Sequence, residues 1–271
     1  MTEPFYTDKT QVRSAFDRAA QSYDDAAVLQ REVSDRMAER LDYIKHKPAV
    51  ILDAGSGTGY GAAELRRRYP EARVIELDLA PSMLTTSRAK QREQSGLLGR
   101  LFQKAPWQLC ADVERLPLAD ASVDMIWSNL TIQWVNVPDS VFAEFQRVLK
   151  PEGLLMFSSM GPDTLFELKQ AFAAADRASH VNQFIDMHDL GDALVRTGFA
   201  TPVMDMEKIV LTYQEARDVM HDLKAIGAHN TMEGRNKGLF GKNAWQKVVA
   251  DYEARRRDGK QIGRASCRER V

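Results

Sequence analysis

Val50-Ile51-Leu52-Asp53-Ala54-Gly55-Ser56-Gly57-Thr58-Gly59 decides the fold of this chain. An apolar run ends in an acid, and three alternating glycines then open a segment, Tyr60 to Tyr69, with helical patterning. A strand entering a glycine-rich turn at a helix N-terminus lets a ligand approach bare backbone. A dinucleotide would seat its pyrophosphate at such a turn. Asp53, at the strand end, stands beside that place and repels a phosphate, so a cationic, phosphate-free ligand suits the site better. Gly57-Thr58-Gly59-Tyr60-Gly61-Ala62 also satisfies the loose dinucleotide pattern GxGxxA. The plain alternative is a tight turn without a ligand.

Outward from that turn, strand and helix patterns alternate. Short apolar runs at 49–53, 73–78, 106–111, 123–129 and 153–159 read as strands, with helical patterns at 60–69, 81–92 and 139–149 between them. Such alternation predicts parallel βαβ units in a doubly wound, Rossmann-like α/β sheet. Pro151-Glu152-Gly153 reads as a compact turn before the fifth strand. Residues 10–45 read as helical, from the spacing of Val12, Ala15, Phe16 and Ala19, then Leu29, Val33, Met37 and Leu41. Beyond Met160 helical patterns at 162–176, 187–197 and 214–226 surround one strand candidate, Met204–Tyr213. The expected organisation is a helical lid over 1–45, a ligand-binding core over 46–160, and a substrate-side insertion with a helical C-terminal part over 161–259. Residues 260–271, which include Gly263-Arg264-Ala265-Ser266-Cys267, show no period with a usable core face and read as a non-native tail.

Composition narrows the class. The 271 residues are 44% hydrophobic and 28% charged, with a net charge of −1, which gives no bulk electrostatic case for nucleic acid. No run approaches the roughly 18 apolar residues of a membrane span, and the N-terminal stretch lacks a signal-peptide core. The two cysteines have neither disulfide-framework nor metal-ligand spacing, so the expectation is a cytoplasmic protein without a metal.

Three acids fall where three successive strands end: Asp53, Asp78 and Asp112. Asp78 follows Gly55 at close to the spacing of about 20 residues expected of an acid that accepts from ribose hydroxyls. Asp112 is placed to accept from the exocyclic amine of an adenine. Ribose, adenine and a positive centre together describe S-adenosyl-L-methionine.

The pattern Asp53-x-Gly55-x-Gly57-x-Gly59, with Asp78-Leu79-Ala80-Pro81-Ser82-Met83-Leu84 and Phe145-x-Arg147-Val148-Leu149-Lys150-Pro151-x-Gly153, resembles the class I S-adenosylmethionine-dependent methyltransferases. That resemblance implies that Gly55, Ser56, Gly57 and Gly59 form the cofactor turn. It implies that Asp78 holds the ribose, that Leu79 also lies in the cofactor site, that Asp112 and Val113 frame the adenine, and that Met83 packs on the adenine's other side. Further stretches are similar to one subfamily, the malonyl-[acyl-carrier protein] O-methyltransferases of biotin synthesis. They include Phe16-Asp17-Arg18-Ala19-Ala20-x-x-Tyr23-Asp24, Trp127-Ser128-Asn129-Leu130-x-x-Gln133-Trp134, Gly161-Pro162-Asp163-Thr164-Leu165 and Asp186-Met187-His188-Asp189. The resemblance implies methylation of the free carboxylate of a malonyl thioester. Malonyl-acyl carrier protein, an acidic protein, or malonyl-coenzyme A is the expected partner. The alternatives are a methyltransferase for another small acceptor, or a non-methylating assembly factor or protein-arginine hydroxylase of similar sequence.

A carboxylate with a pKa of about 4 is ionised at neutral pH and needs no general base. The expected machinery therefore positions groups and excludes water. Tyr23, from the N-terminal helices, and Asn129, after the fourth strand, are the positioning candidates. Their alternatives are a packing aromatic and a turn-forming Asn. Gln133, His180, Asn182, His188, His229 and Arg235 are candidates for holding the malonyl group, each with a surface or core role as its alternative. Arg235, Lys237, Lys242, Lys247 and Arg255-Arg256-Arg257 form a basic stretch that would suit an acidic carrier or be a solvated face. Methyltransferases of this class end in an antiparallel strand, and Lys260-Gln261-Ile262 has no alternating run for one. The last strand of a seven-stranded sheet plan is therefore expected to be missing, which would leave six strands and an unpaired edge on each of strands five and six.

Overall fold

The structure is a computed structural model that describes residues 6–94, 106–175, 180–228, 230–232 and 241–255, and the backbone of 262–267. Five parallel strands form its centre: β1 (Val50–Ala54), β2 (Arg73–Asp78), β3 (Trp107–Cys110), β4 (Val123–Ser128) and β5 (Leu149–Phe157), in the order β3-β2-β1-β4-β5. Both faces of this sheet are covered, and the period of two divides its side chains between two cores. Leu52 and Ile126 point to a layer with Phe142, Phe145 and Phe157. Ile51, Met125 and Trp127 point to the other, with Val33, Met37 and Leu65. The strand order reverses between β1 and β4, and the crevice beyond the carboxyl ends of these strands is where open α/β sheets bind ligands.

β5 begins at Leu149, before the expected turn. Val123 pairs with Leu149 and Met125 with Leu154, so Pro151-Glu152-Gly153 is an irregularity inside the strand, with Glu152 at φ 64. The chain turns sharply there, as its sequence predicts, but backbone pairing resumes on either side.

The N-terminal helices α1 (Lys9–Ala19), α2 (Tyr23–Ala26) and α3 (Val28–Arg40) cover the carboxyl end of the sheet. Asp8 caps α1, accepting from the amides of Thr10 and Gln11. Between the strands lie α4 (Tyr60–Arg68), α5 (Pro81–Gln94) and α6 (Pro138–Val148). Asp17 of α1 accepts from Ser82 N at 2.9 Å, which satisfies a free donor at the start of α5 and pins one helix to the other.

After the sheet come α7 (Phe166–Ala173), α8 (Met187–Arg196), β6 (Ile209–Tyr213), α9 (Ala216–Ala225) and α10 (Lys242–Ala254). The expected missing final strand is a correction. Ile262–Cys267 forms β7, antiparallel to β6, in a separate two-stranded sheet. A ladder needs only backbone donors and acceptors, so an unpaired β6 edge can take up an extended segment whatever its side-chain pattern. The single seven-stranded sheet, or six-stranded remnant, is thus five strands plus two.

Candidate active site

The glycine turn is built by contact as much as by freedom. Gly55, Gly57 and Gly59 have φ of 82°, 54° and 84°, conformations that disfavour any side chain. A Cβ on Gly55 would fall 2.0 Å from Thr131 Oγ1, and one on Gly59 would fall 2.2 Å from Ser87 Oγ. Among the described residues nothing lies within 4 Å of that position at Gly57, which faces open space. Gly55 N and Ser56 N donate to Leu77 O at 2.7 and 2.9 Å, which holds the turn against the end of β2.

Two adjoining cavities meet at this turn. The larger encloses about 1140 Å³ out to its open mouth, and Asp78, Leu79, Met83, Asp112 and Val113 lie in its wall. The smaller encloses about 440 Å³ and is lined by Asp53, Ser56 and Arg31 among others. Tyr23, Gln30, Gly55, Gly57 and Asn129 line both. Segments far apart in sequence therefore converge on one bipartite site. Gly59 lines neither cavity; its part is the close packing of the turn on α5.

The acids at the strand ends are held in different ways. Asp78 Oδ2 accepts from Gly57 N and Oδ1 from Ala80 N, each at 2.8 Å. Burial lifts its pKa to about 6 against the opposing pull of those amides, with Asp17 adding to the rise. Asp53 is 2% exposed, and burial, with Glu76 behind it, pushes its carboxyl well above the ordinary range. Asp53 Oδ2, Ser56 Oγ and Gln30 Oε1 are buried without a hydrogen-bond partner among the described residues, and all three belong to the wall of the smaller cavity. Unpaired buried acceptors are costly, and they fit a ligand that brings donors or positive charge rather than a pyrophosphate. Asp112 Oδ1 accepts from Lys9 Nζ at 3.1 Å and from Glu114 N at 3.0 Å. Lys9 also reaches Glu114 Oε1 at 2.7 Å, so α1 is tied to the wall it covers.

Tyr23 is half-buried, and burial together with Asp78 and Asp24 drives its phenol far up in pKa. It is a fixed donor at neutral pH, not a base. Asn129 Nδ2 donates to Gln30 O at 2.9 Å, and its Oδ1 accepts from Ser158 Oγ at 2.7 Å. The side chain acts as a strut joining α3 to the ends of β4 and β5, as well as forming cavity wall.

Of the acceptor-side candidates, Gln133 and Asn182 line the larger cavity. Asn182 Oδ1 is occupied by Thr231 N at 3.3 Å. His180 stacks on Phe172 at 4.4 Å and lines neither cavity. His188 is highly exposed and leans 2.7 Å from Asp186, the N-cap of α8, beside a different cavity. Both histidines stand away from the site because helix packing and capping, not ligand contact, set their positions. His229 and Arg235 lie outside the described residues, as do Lys237, Arg256 and Arg257 of the basic stretch. Arg255 pairs with Asp251 at 2.8 Å. Arg147 is held by Glu144 and Asp120 and by the carbonyls of Leu116 and Leu118, a structural role. Among the described residues no cluster of three or more His, Cys, Asp or Glu side chains is placed to hold a metal ion.

Sequence reasoning assigned no role to Gln30, Arg31, Thr131, Thr164 or Phe184, all of which line the cavities. Thr164 lies in the family-like stretch Gly161-Pro162-Asp163-Thr164-Leu165, the available signal, but nothing in the local pattern of these residues marks a pocket.

Residues 52–157 match the model of a family described as a methyltransferase domain. Among solved structures, the YcgJ protein of Bacillus subtilis aligns with a TM-score of 0.58 at 14% identity, covering 86% of this chain and 94% of that one. The shared architecture is the class I methyltransferase fold. Relatives named malonyl-[acyl-carrier protein] O-methyltransferase match far more closely. That of Laribacter hongkongensis is 67% identical over 260 residues, 96% of this chain and 87% of the relative. That of Gallionella capsiferriformans is 57% identical over 256 residues, 94% of this chain and 87% of the relative. With the fold, the bipartite site and this identity over nearly the whole chain, the chain belongs to the malonyl-[acyl-carrier protein] O-methyltransferase family.

Proposed function

We propose that this chain transfers a methyl group from S-adenosyl-L-methionine to the free carboxylate of malonyl-acyl carrier protein, in the cytoplasm and at an early step of biotin synthesis. The observation that carries the reading is the 67% identity to the Laribacter hongkongensis relative over 96% of the chain. Asp78 would accept from the ribose hydroxyls, while Leu79, Met83, Asp112 and Val113 would enclose the adenine. Asp53, Ser56 and Gln30 would take the donors of an ammonium group, with Arg31 beside them for its carboxylate. Bound there, S-adenosylmethionine supplies an electrophilic methyl on a positively charged sulfur.

The chain's own task is then to align a carboxylate already ionised at neutral pH and to keep water away. Buried acids favour the cationic reactant, and the apolar walls keep the dielectric low. Tyr23, fixed as a donor, would orient an oxygen at the junction of the cavities. Asn129 would hold that junction in shape from behind. Helices α1 to α3 would act as the lid that dries the site.

The test is incubation of the full chain with radiolabelled S-adenosylmethionine and either malonyl- or acetyl-acyl carrier protein. Label is expected in the malonyl form alone, as a base-labile ester. Transfer to neither, by a folded chain with measured donor binding, would refute the activity. Malonyl-coenzyme A in a parallel reaction decides whether the carrier protein itself is required.

A further inference from the structure

We propose that Thr164 is the residue that recognises the free carboxylate of the acceptor, an assignment that rests on the methyl-transfer reading above. Thr164 is 3% exposed, its hydroxyl has no partner among the described residues, and it lines the larger cavity. A buried hydroxyl without a hydrogen bond weakens the fold, and valine would fill the same shape without that penalty. The neighbouring backbone carries a second cost. Leu165 is 8% exposed and sits at φ 56, in the left-handed region. Strain of this kind gathers at ligand clamps.

The surroundings of that hydroxyl suit an anion. Leu165 is the N-cap of α7, so Thr164 stands at the positive end of the helix. One turn further on, Lys169 Nζ lies 3.1 Å from Pro162 O and 5.0 Å from the centroid of Phe184, itself part of the cavity wall. Asp163 is exposed and adjoins this segment from outside. Lys9, the one cation in the cavity wall among the described residues, is already engaged by Asp112 and Glu114. Gln133 Oε1, in the same wall, is another buried oxygen without a partner among the described residues. With its carboxamide turned over it would present N–H donors to the same anion. A malonyl and an acetyl thioester differ by this one carboxylate, so the group that holds it sets acceptor choice.

The experiment compares the full chain with T164V and T164S. Calorimetric titrations use malonyl-pantetheine and acetyl-pantetheine in the presence of S-adenosylhomocysteine, beside thermal melts and kinetics with malonyl-acyl carrier protein. T164V is expected to melt at or above the parent's temperature and to bind S-adenosylhomocysteine equally well. It should lose about 10- to 100-fold in affinity for malonyl-pantetheine, the range for a lost bond to a charged group. Its affinity for acetyl-pantetheine should not change, and T164S should keep most of the parent's affinity for the malonyl form. Parent-like binding of malonyl-pantetheine by T164V would overturn the assignment, and so would equal losses for both thioesters, which would put the hydroxyl on the pantetheine arm. A parent chain that binds S-adenosylhomocysteine and methylates no malonyl thioester would overturn the activity itself and this role with it.

Discussion

At the residue scale, Asp78 joins the glycine turn to the ligand through a titration. Its carboxyl lies at about 6 because burial opposes ionisation more than Gly57 N and Ala80 N support it. Ribose hydroxyls donate, so they bind the ionised form and pull its pKa down. Affinity for S-adenosylhomocysteine should therefore be full well above pH 6 and should weaken as pH falls through about 6. Calorimetry between pH 7.5 and 5.5 measures this. In Asp78→Asn the step near pH 6 should vanish, and binding at neutral pH should weaken by about 1–3 kcal/mol, the range of a hydrogen bond to a charged group. A pH dependence that survives in Asp78→Asn would assign the titration to another group, with Asp53 the first candidate. Asp53 and Asp78 were legible in the sequence because strand-end position fixes where their side chains point. Thr164 was not, since an unpaired hydroxyl is a property of the completed fold.

At the scale of elements, the covering helices depend on a few close contacts with distant segments. Thr7 N donates to Asn136 Oδ1 at 2.7 Å, and Asn136 Nδ2 returns a bond to Thr7 O at 3.1 Å. Asp8 N reaches Thr231 O at 3.0 Å, and Lys9 grips Asp112. Gly227, just past α9, has φ 72, and a Cβ there would lie 3.1 Å from Ala15 O and 3.3 Å from Ala19 Cβ on α1. Gly227→Ala should therefore cost about 1–3 kcal/mol in backbone strain alone, with the loss concentrated where α9 meets α1. Hydrogen exchange is expected to quicken in α1 while β1 and β4 stay protected; uniform quickening would mean that the helix is not a separable cover. The strands and helices of residues 49–159 were legible because each carries its own period and turn residues. The β5 boundary was not, because Pro151-Glu152-Gly153 interrupts a ladder that pairing with β4 then restores. The seating of α1 was likewise hidden, since it is decided by Gly227, Asn136 and Thr231, which lie more than a hundred residues away in sequence.

At the scale of the whole molecule, the open question is what the second sheet contributes. Ile209 and Leu211 of β6 pack against the core beneath α3 and α4, so one side of that strand belongs to the main body. Its edge is taken by Ile262–Cys267, with Ile209 opposite Cys267 and Tyr213 opposite Ile262. Gly263, Arg264 and Ser266 have weak strand propensity, so β7 is held by its backbone ladder more than by its pattern. That is also why the sequence of 260–271 predicted no strand: periodicity reports side-chain burial and is silent on an edge waiting for a partner. Two outcomes follow from a segment of this kind. Deleting 261–271 should lower the free energy of unfolding only slightly, by about 1–2 kcal/mol at the scale of one or two net hydrogen bonds. The same deletion should raise self-association, because an exposed apolar edge is a template for pairing. Urea titration reads the first and light scattering the second. Conversely, Gly263→Val with Ser266→Val should stabilise the chain by up to about 1 kcal/mol per site, the span of strand propensities. If the deletion changes neither the melt nor the particle size, the β6–β7 ladder contributes nothing to the fold, and the five-stranded sheet with its covering helices is the whole of the stable molecule.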